Sequence, residues 1–232
     1  MTLKQTLATL KKEGTAQNRK IYGRHGVTGD MFGVSYANLK KLAKQCGTDT
    51  GLARGLWATG NHDARILATM VADPGDYKSA ELDAMARDLG CYVDTGAFSG
   101  LVARSPHGLA KFKKWRDRKN EWIATAAWDV LSSLALDMGH PTELDDAWCA
   151  EQIRIISEQI HQRPNRVRHA MNQALIAMGV RNAKLTKKAL AAAKKVGKVE
   201  VDHGQTSCKT PDAAAYIAKT LTHRSKPKAV CG

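Results

Sequence analysis

Apart from the short Val199-Glu200-Val201, no run of four or more residues in this 232-residue chain alternates apolar and polar side chains as a half-buried strand must. What recurs instead is the 3.6-residue period of the α-helix. It is plainest from Asn165 to Asn182, where Val167, Ala170, Met171, Ala174, Leu175 and Met178 share one face. Arg166, His169, Asn172 and Gln173 fall on another face, with Arg168 beside it. The first face must be buried; the second is free to meet something polar, and its cations favour an anion. The fold class that follows is all-α.

Punctuation divides the chain into helices. Leu3, Leu7 and Leu10 form a stripe that stops at Gly14, and Gln17 to Tyr22 continues as a short helix. The glycine-bearing segment GRHGVTGD lacks the Gly-Lys-Ser/Thr ending of a phosphate loop and reads as a connection. Ser35 is an N-cap for YANLKKLAKQC, stopped by Gly47; Thr48 or Asp49 opens the next helix, which ends at Gly60; Asn61 caps HDARILATMVAD. Short turns then join Asp76–Leu89 to Cys91–Ala103, Gly108–Arg118 to Glu121–Met138, and Thr142–Gln162 to Pro164–Met178. Helices over Lys184–Val196 and Pro211–Leu221 close the chain, the last with Thr210 as its expected N-cap and Pro211 at its first position.

A unit of roughly 30 to 45 residues is in the range of HEAT and armadillo arrays, although the consensus residues of a regular solenoid are missing. The expected architecture is a curved, right-handed stack of about six antiparallel helix pairs, leaving a concave surface lined by one helix of each pair. A compact helical bundle is the competing arrangement. Residues 1–198 are read as the helical-repeat domain. Residues 199–232 are read as a loop and helix packed on it, with a basic tail from His223.

Charge narrows the partner. A formal net charge of +14 favours polyanions such as nucleic acid, setting affinity and encounter rate rather than chemistry. The five cysteines are scattered, with no CxxC pair, which argues against a disulfide framework or a zinc knuckle and for a reducing compartment. No segment reaches the roughly 18 apolar residues of a membrane span, and lysines interrupt the N-terminal apolar positions, so a cytoplasmic location is expected. A monomer without cofactor or metal is the expected state.

Several segments together resemble the AlkD-like DNA alkylation repair enzymes, HEAT-like repeat proteins that remove alkylated purines from duplex DNA. They are Tyr22 followed by Phe32-Gly33-Val34, the stretch LWATGNHDARILATMVADP from Leu56 to Pro74, the helix from Glu121 to Leu136, and the closing order of helix pairs. The likeness spans most of residues 15–196. It implies an excision centre made of an aromatic residue, an aspartate four positions later, an arginine on the next concave helix and a tryptophan on a third. The aromatic falls at Tyr92, but Gly96 stands where the aspartate belongs, Ala124 or Thr125 where the arginine belongs, and Gln173 where the tryptophan belongs. Asp94 is the nearest carboxylate, yet two residues along a helix turn it away by about 200°. Losing an alkylated purine leaves positive charge on the sugar, so a site without its carboxylate forfeits most of the stabilisation that speeds the reaction.

Candidate phosphate contacts are Arg65, Arg104, Lys111, Lys114, Arg116, Arg118, Arg166, Arg168, His169 and Arg181, each with a solvated surface charge as its plainer reading. Phe112 and Trp115, interleaved with the cations of residues 104–119, are expected in the core, as are Trp122 and Trp128, while Asp129 is read as a solvent or capping residue. His62 and Asp63 open a helix, where an aspartate also suits the macrodipole. Asp202, His203 and Cys208 hint at a metal or thiol site but lack a fourth partner, and an ordered loop is the expected reading. Three functions remain open: an N-alkylpurine DNA glycosylase with altered catalytic groups, a binder of bent or branched nucleic acid that cuts nothing, and a protein scaffold.

Overall fold

The structure is a computed structural model describing residues 1–137 and 144–225. Every regular element among them is helical: α1 (Leu3–Glu13), α2 (Ala16–Arg24), α3 (Tyr36–Cys46), α4 (Thr50–Ala58), α5 (His62–Val71), α6 (Ser79–Ala86), α7 (Tyr92–Arg104), α8 (Gly108–Trp115), α9 (Glu121–Leu136), α10 (Asp146–Gln159), α11 (Asn165–Gly179), α12 (Ala183–Val196) and α13 (Ala213–Ser225). Residues 199–201 are not a strand.

The predicted caps hold where they are local. Ser35 Oγ accepts from Asn38 N at 3.2 Å, Asp49 Oδ1 from Leu52 N at 2.8 Å and Asn61 Oδ1 from Ala64 N at 3.3 Å, each satisfying a first-turn N–H the helix cannot. Other boundaries differ. The expected Asp76–Leu89 helix is the shorter α6, preceded by a 3-10 turn over Pro74–Asp76. Helix α13 is capped not by Thr210 but by Asp212, whose Oδ1 accepts from Ala215 N at 2.7 Å. The expected end of the α9 helix at Met138, the start of its successor at Thr142 and the basic tail from residue 226 lie outside the described residues.

The chain forms two compact units, and passes from one to the other within α9. The first comprises Met1–Val130 with His203–Cys208; the second, Leu131–Asp202 with the described part of Lys209–Gly232. In the first, α5 is the hub, packed against α4, α3 and α7, with α1 on α4 and α8 on α7. It earns that place by composition: His62, Asp63, Ala64, Ile66, Leu67, Ala68, Thr69 and Val71 are all buried. Aromatic rings continue the core, Phe98 lying 5.5 Å from Trp57 and 5.9 Å from Trp115 between ring centroids, and Phe112 5.2 Å from Trp128. Phe112, Trp115 and Trp128 are thus interior, as expected, while Trp122 is only half-buried.

In the second unit α10 packs on α11 and α12, and α13 covers α11 and α12. The expected apolar face of α11 is buried throughout. Its polar face is less free than its composition suggests. Asn172 is 1% exposed because Nδ2 donates to Pro211 O at 3.0 Å, and His169 Nδ1 meets Thr210 Oγ1 at 2.9 Å. The segment leading into α13 has been laid over that face.

Candidate nucleic-acid interface

The loop between α2 and α3 is built on one carboxylate. Asp63, wholly buried in the first turn of α5, accepts the backbone N–H of Phe32 at 2.6 Å, Gly33 at 2.9 Å and Val34 at 2.8 Å. Tyr22 donates its hydroxyl to Val34 O, and Arg19 Nη1 donates to Phe32 O at 3.0 Å. Gly33 has φ +81°, and a Cβ there would lie 2.5 Å from Thr15 O, so both backbone conformation and space require glycine. Asp63 is therefore an anchor of the loop, which explains it without a catalytic role.

Beneath this loop lies a cavity of about 180 Å³ lined by Asp30, His62, Arg65, Asp88, Cys91 and Asp94 among others. His62 is 5% exposed, stacks edge-on against Tyr22 at 5.3 Å, and burial pushes its pKa below the usual histidine value against the opposing pull of Asp63 and Asp94. Tyr92, the expected aromatic of the excision centre, is half-buried, with its hydroxyl against His25 Nδ1. One turn on, Gly96 is exposed and has nothing within 4 Å of where a Cβ would sit. The nearest carboxylate points elsewhere: Asp94 is 7% exposed and caps its own helix, its oxygens facing Cys91 N at 3.2 Å and Gly90 N at 3.4 Å. Ala124 and Thr125 are buried rather than presented on a surface, and Thr125 Oγ1 has no partner among the described residues. Gln173, in the second unit, is half-buried.

The cations divide sharply. Arg65 is spent inside the first unit, with Nη1 donating to Asp88 O at 3.0 Å, Nη2 3.6 Å from the Asp88 carboxylate and the guanidinium over the Trp57 ring. Arg104 donates to Gly100 O and Thr69 O at 3.0 and 3.2 Å. Lys111 overturns its expectation. Only 1% exposed, it pairs with Asp83 at 2.7 Å and donates to Ser79 O at 2.6 Å, leaving no ammonium surface for a phosphate. Arg116 pairs with Asp117 at 3.2 Å. In the second unit Arg181 donates to Ala135 O at 2.8 Å and Leu144 O at 3.4 Å, Arg168 has Nε buried without a partner among the described residues, and Arg166 is half-buried.

What remains open is a cleft of about 610 Å³ where α6, the end of α8 and the start of α9 meet, lined by Asp83, Arg87, Lys114, Trp115, Asp117, Arg118, Lys119, Asn120 and Ile123. Burial would raise the Asp83 pKa, but hydrogen bonds from Lys111, Lys114 and Trp115 hold it down at about 2, so its charge is already answered. Arg87, Arg118 and Lys119 are exposed and have no ion-pair partner among the described residues. Lys119 directly follows Arg118 in the basic run of residues 104–119, whereas nothing in its spacing ties Arg87 to that run. Exposed Lys187, Lys188, Lys194 and Lys195 add a cationic face on α12 of the second unit.

Asp202, His203 and Cys208 do not gather. Asp202 exchanges backbone hydrogen bonds with the Asn165 side chain at 2.7 and 2.8 Å, and Cys208 is exposed. Among the described residues the grouping of potential metal ligands is a different one, His62, Cys91 and Asp94, whose ligand atoms lie within 4.8 Å of one another. No described helix is long and apolar enough to cross a membrane.

Comparison with known proteins gives a consistent result. A family model described as DNA alkylation repair enzyme matches residues 3–217. Uncharacterized proteins of Listeria innocua and Listeria monocytogenes are each 28% identical over 207 residues, covering 86% of this chain and 88% of their own. A solved structure reported as "a new family of proteins related to the HEAT-like repeat DNA glycosylases with affinity for branched DNA structures" superposes with a TM-score of 0.87 and 26% identity, over 97% of this chain and 95% of the other. The expected all-α, HEAT-like fold class is the one found.

Proposed function

The chain belongs to the DNA alkylation repair enzyme family, and from that premise we propose that it binds DNA without excising bases by the family's aspartate-dependent route. The observation that carries the binding half is the open cleft with Arg87, Arg118 and Lys119 exposed on it, whose one interior acid, Asp83, is neutralised by Lys111 and Lys114. Cations spaced along a groove attract a phosphodiester backbone and gain the entropy of released counterions. Against excision stand the first two turns of α7: an exposed glycine, Gly96, replaces the carboxylate, and Asp94 is turned back to cap the helix.

The solved relative described as having affinity for branched DNA supports branched junctions as the preferred ligand over plain duplex. Two measurements on the full chain test this reading. Under single-turnover conditions with excess protein, duplex carrying N3- or N7-methylpurine should release no base above the spontaneous rate. A four-way junction should bind more tightly than linear duplex of the same length, and the affinity should fall steeply with salt. Base release abolished by Asp94→Asn would overturn the first half; salt-independent or absent binding would overturn the second and leave a protein scaffold.

A further inference from the structure

The buried cluster at the α5–α7 contact is not needed for any of this, and it has the character of a metal site. His62 is the first residue of α5; Cys91 caps α7 and Asp94 is the third residue of its first turn, so the latter two share one side of the helix end facing α5. All three are less than a tenth exposed. The His62 ring, which offers one of the grouped ligand atoms, rests edge-on against Tyr22 at 5.3 Å between centroids. The same three side chains also line the cavity of about 180 Å³, which leaves space beside them.

We propose that His62, Cys91 and Asp94 bind one divalent ion of the zinc class, with a fourth position open to the cavity. Imidazole nitrogen, thiolate sulfur and carboxylate oxygen together form a donor set that zinc accepts and that calcium or magnesium, which want oxygens, do not. Ligand atoms around a tetrahedral zinc, at about 2.0–2.3 Å from the metal, lie roughly 3.5 Å apart. Closing the present spacing requires a contraction on the order of 1 Å, within reach of side-chain torsions.

Charge favours the ion as well. The Asp94 carboxylate and a Cys91 thiolate together cancel two positive charges, and the nearby Arg65 is already paired with Asp88. Binding forms the metal–sulfur bond and expels the Cys91 thiol proton to solvent, leaving the sulfur as thiolate. The backbone N–H groups of Val93 and Asp94 point toward the sulfur and stabilise the thiolate so formed. The neutral imidazole of His62 gives its lone pair to the ion. The backbone bonds to Asp94 orient its carboxylate as outer-shell bonds do at metal centres.

The probe is Co²⁺ alone, added to the full, tag-free chain. One equivalent should produce a sulfur-to-cobalt charge-transfer band together with tetrahedral d–d absorption, and Zn²⁺ should displace it. The band should persist in Cys208→Ser and vanish in Cys91→Ser, a near-isosteric change at a position where serine also caps. His62→Gln should weaken Co²⁺ binding at least tenfold. As a second readout, Zn²⁺ should raise the Tm of the wild-type chain but not that of Cys91→Ser. Absence of the band in the folded wild-type chain, or its survival in Cys91→Ser, overturns the proposal. None of these outcomes depends on whether the protein binds DNA.

Discussion

The Asp63 carboxylate accepts the backbone N–H of Gly33 at 2.9 Å, fixing a loop from the start of a helix thirty residues away in sequence. Two flanking N–H groups share the same carboxylate, and Asp63 is completely buried. Asp63→Ala would leave these donors without an acceptor, each costing about 1–3 kcal/mol where water cannot replace it. The variant should lose about 3 kcal/mol or more of unfolding free energy in urea, with Asp63→Asn intermediate because an amide oxygen retains part of the acceptor capacity. A change in midpoint worth under about 0.5 kcal/mol would show the loop to be held by Tyr22 and Arg19 instead.

Asp83 and Lys111 should behave as a unit. Removing one member of a buried pair leaves the other charge uncompensated, which typically costs about 3–5 kcal/mol. Asp83→Asn is therefore expected to destabilise far more than Lys114→Ala, whose ammonium is half exposed on the same carboxylate. The pH dependence has a definite sign. With its pKa depressed from 3.8 to about 2, Asp83 contributes stability that is present above pH 4 and lost as pH falls through about 2. The gap between wild type and Asp83→Asn should narrow over that window; a gap constant from pH 5 to pH 2 would refute the assignment.

Gly96 carries the opposite expectation. It sits inside α7 with ordinary helical backbone and open space where a Cβ would go, so Gly96→Ala reduces the entropy of the unfolded chain without a clash. Stability should rise by about 0.5–1 kcal/mol. A loss instead would mean that the backbone at this turn must approach something closely.

The helices and their local caps were legible because they are written within a few residues: the stripe on α11, and Ser35, Asp49 and Asn61, each three residues before the N–H it satisfies. Lys111 was misread because its burial depends on Asp83, a helix away, and a lysine in a basic run reads as surface. Asn172 was misread for the same kind of reason, since the Thr210–Pro211 segment that covers it comes some forty residues later. His62, Cys91 and Asp94 were seen separately but not together, because only the packing of α5 on α7 brings them within reach. A Cys-x-x-Asp at a helix start, with a histidine opening another buried helix, was the available signal, and it is a weak one. The departures at Gly96, Ala124 and Gln173 were readable in sequence once the family pattern was laid over it.

Asp129 is partly exposed as a residue, yet protein surrounds its carboxyl, and that burial pushes its pKa from 3.8 up to about 7. As pH rises through this interval the unfolded chain ionises first and holds fewer protons than the native one, so stability falls with pH between about 4 and 7. Asp129→Asn removes that titration. Relative to wild type, the variant's Tm should improve between pH 5 and pH 8, whatever its absolute value. Equal differences at the two pH values would rule out an elevated carboxyl at this position.

The cleft makes the most direct claim on function. Arg87, Arg118 and Lys119 are exposed and outside the core, so replacing all three with alanine should leave Tm within a few degrees of wild type. If each meets one phosphate, the slope of log K against log salt should become shallower by roughly 2–3, since each neutralised phosphate contributes about 0.9. Affinity at low salt should drop at least tenfold, for duplex and junction alike, because backbone contacts carry no sequence information. The same three substitutions on α12, at Lys187, Lys194 and Lys195, give the matched control in charge. If that triple variant reduces the slope while the cleft variant does not, the phosphate-binding surface belongs to the second unit and the cleft is merely solvated.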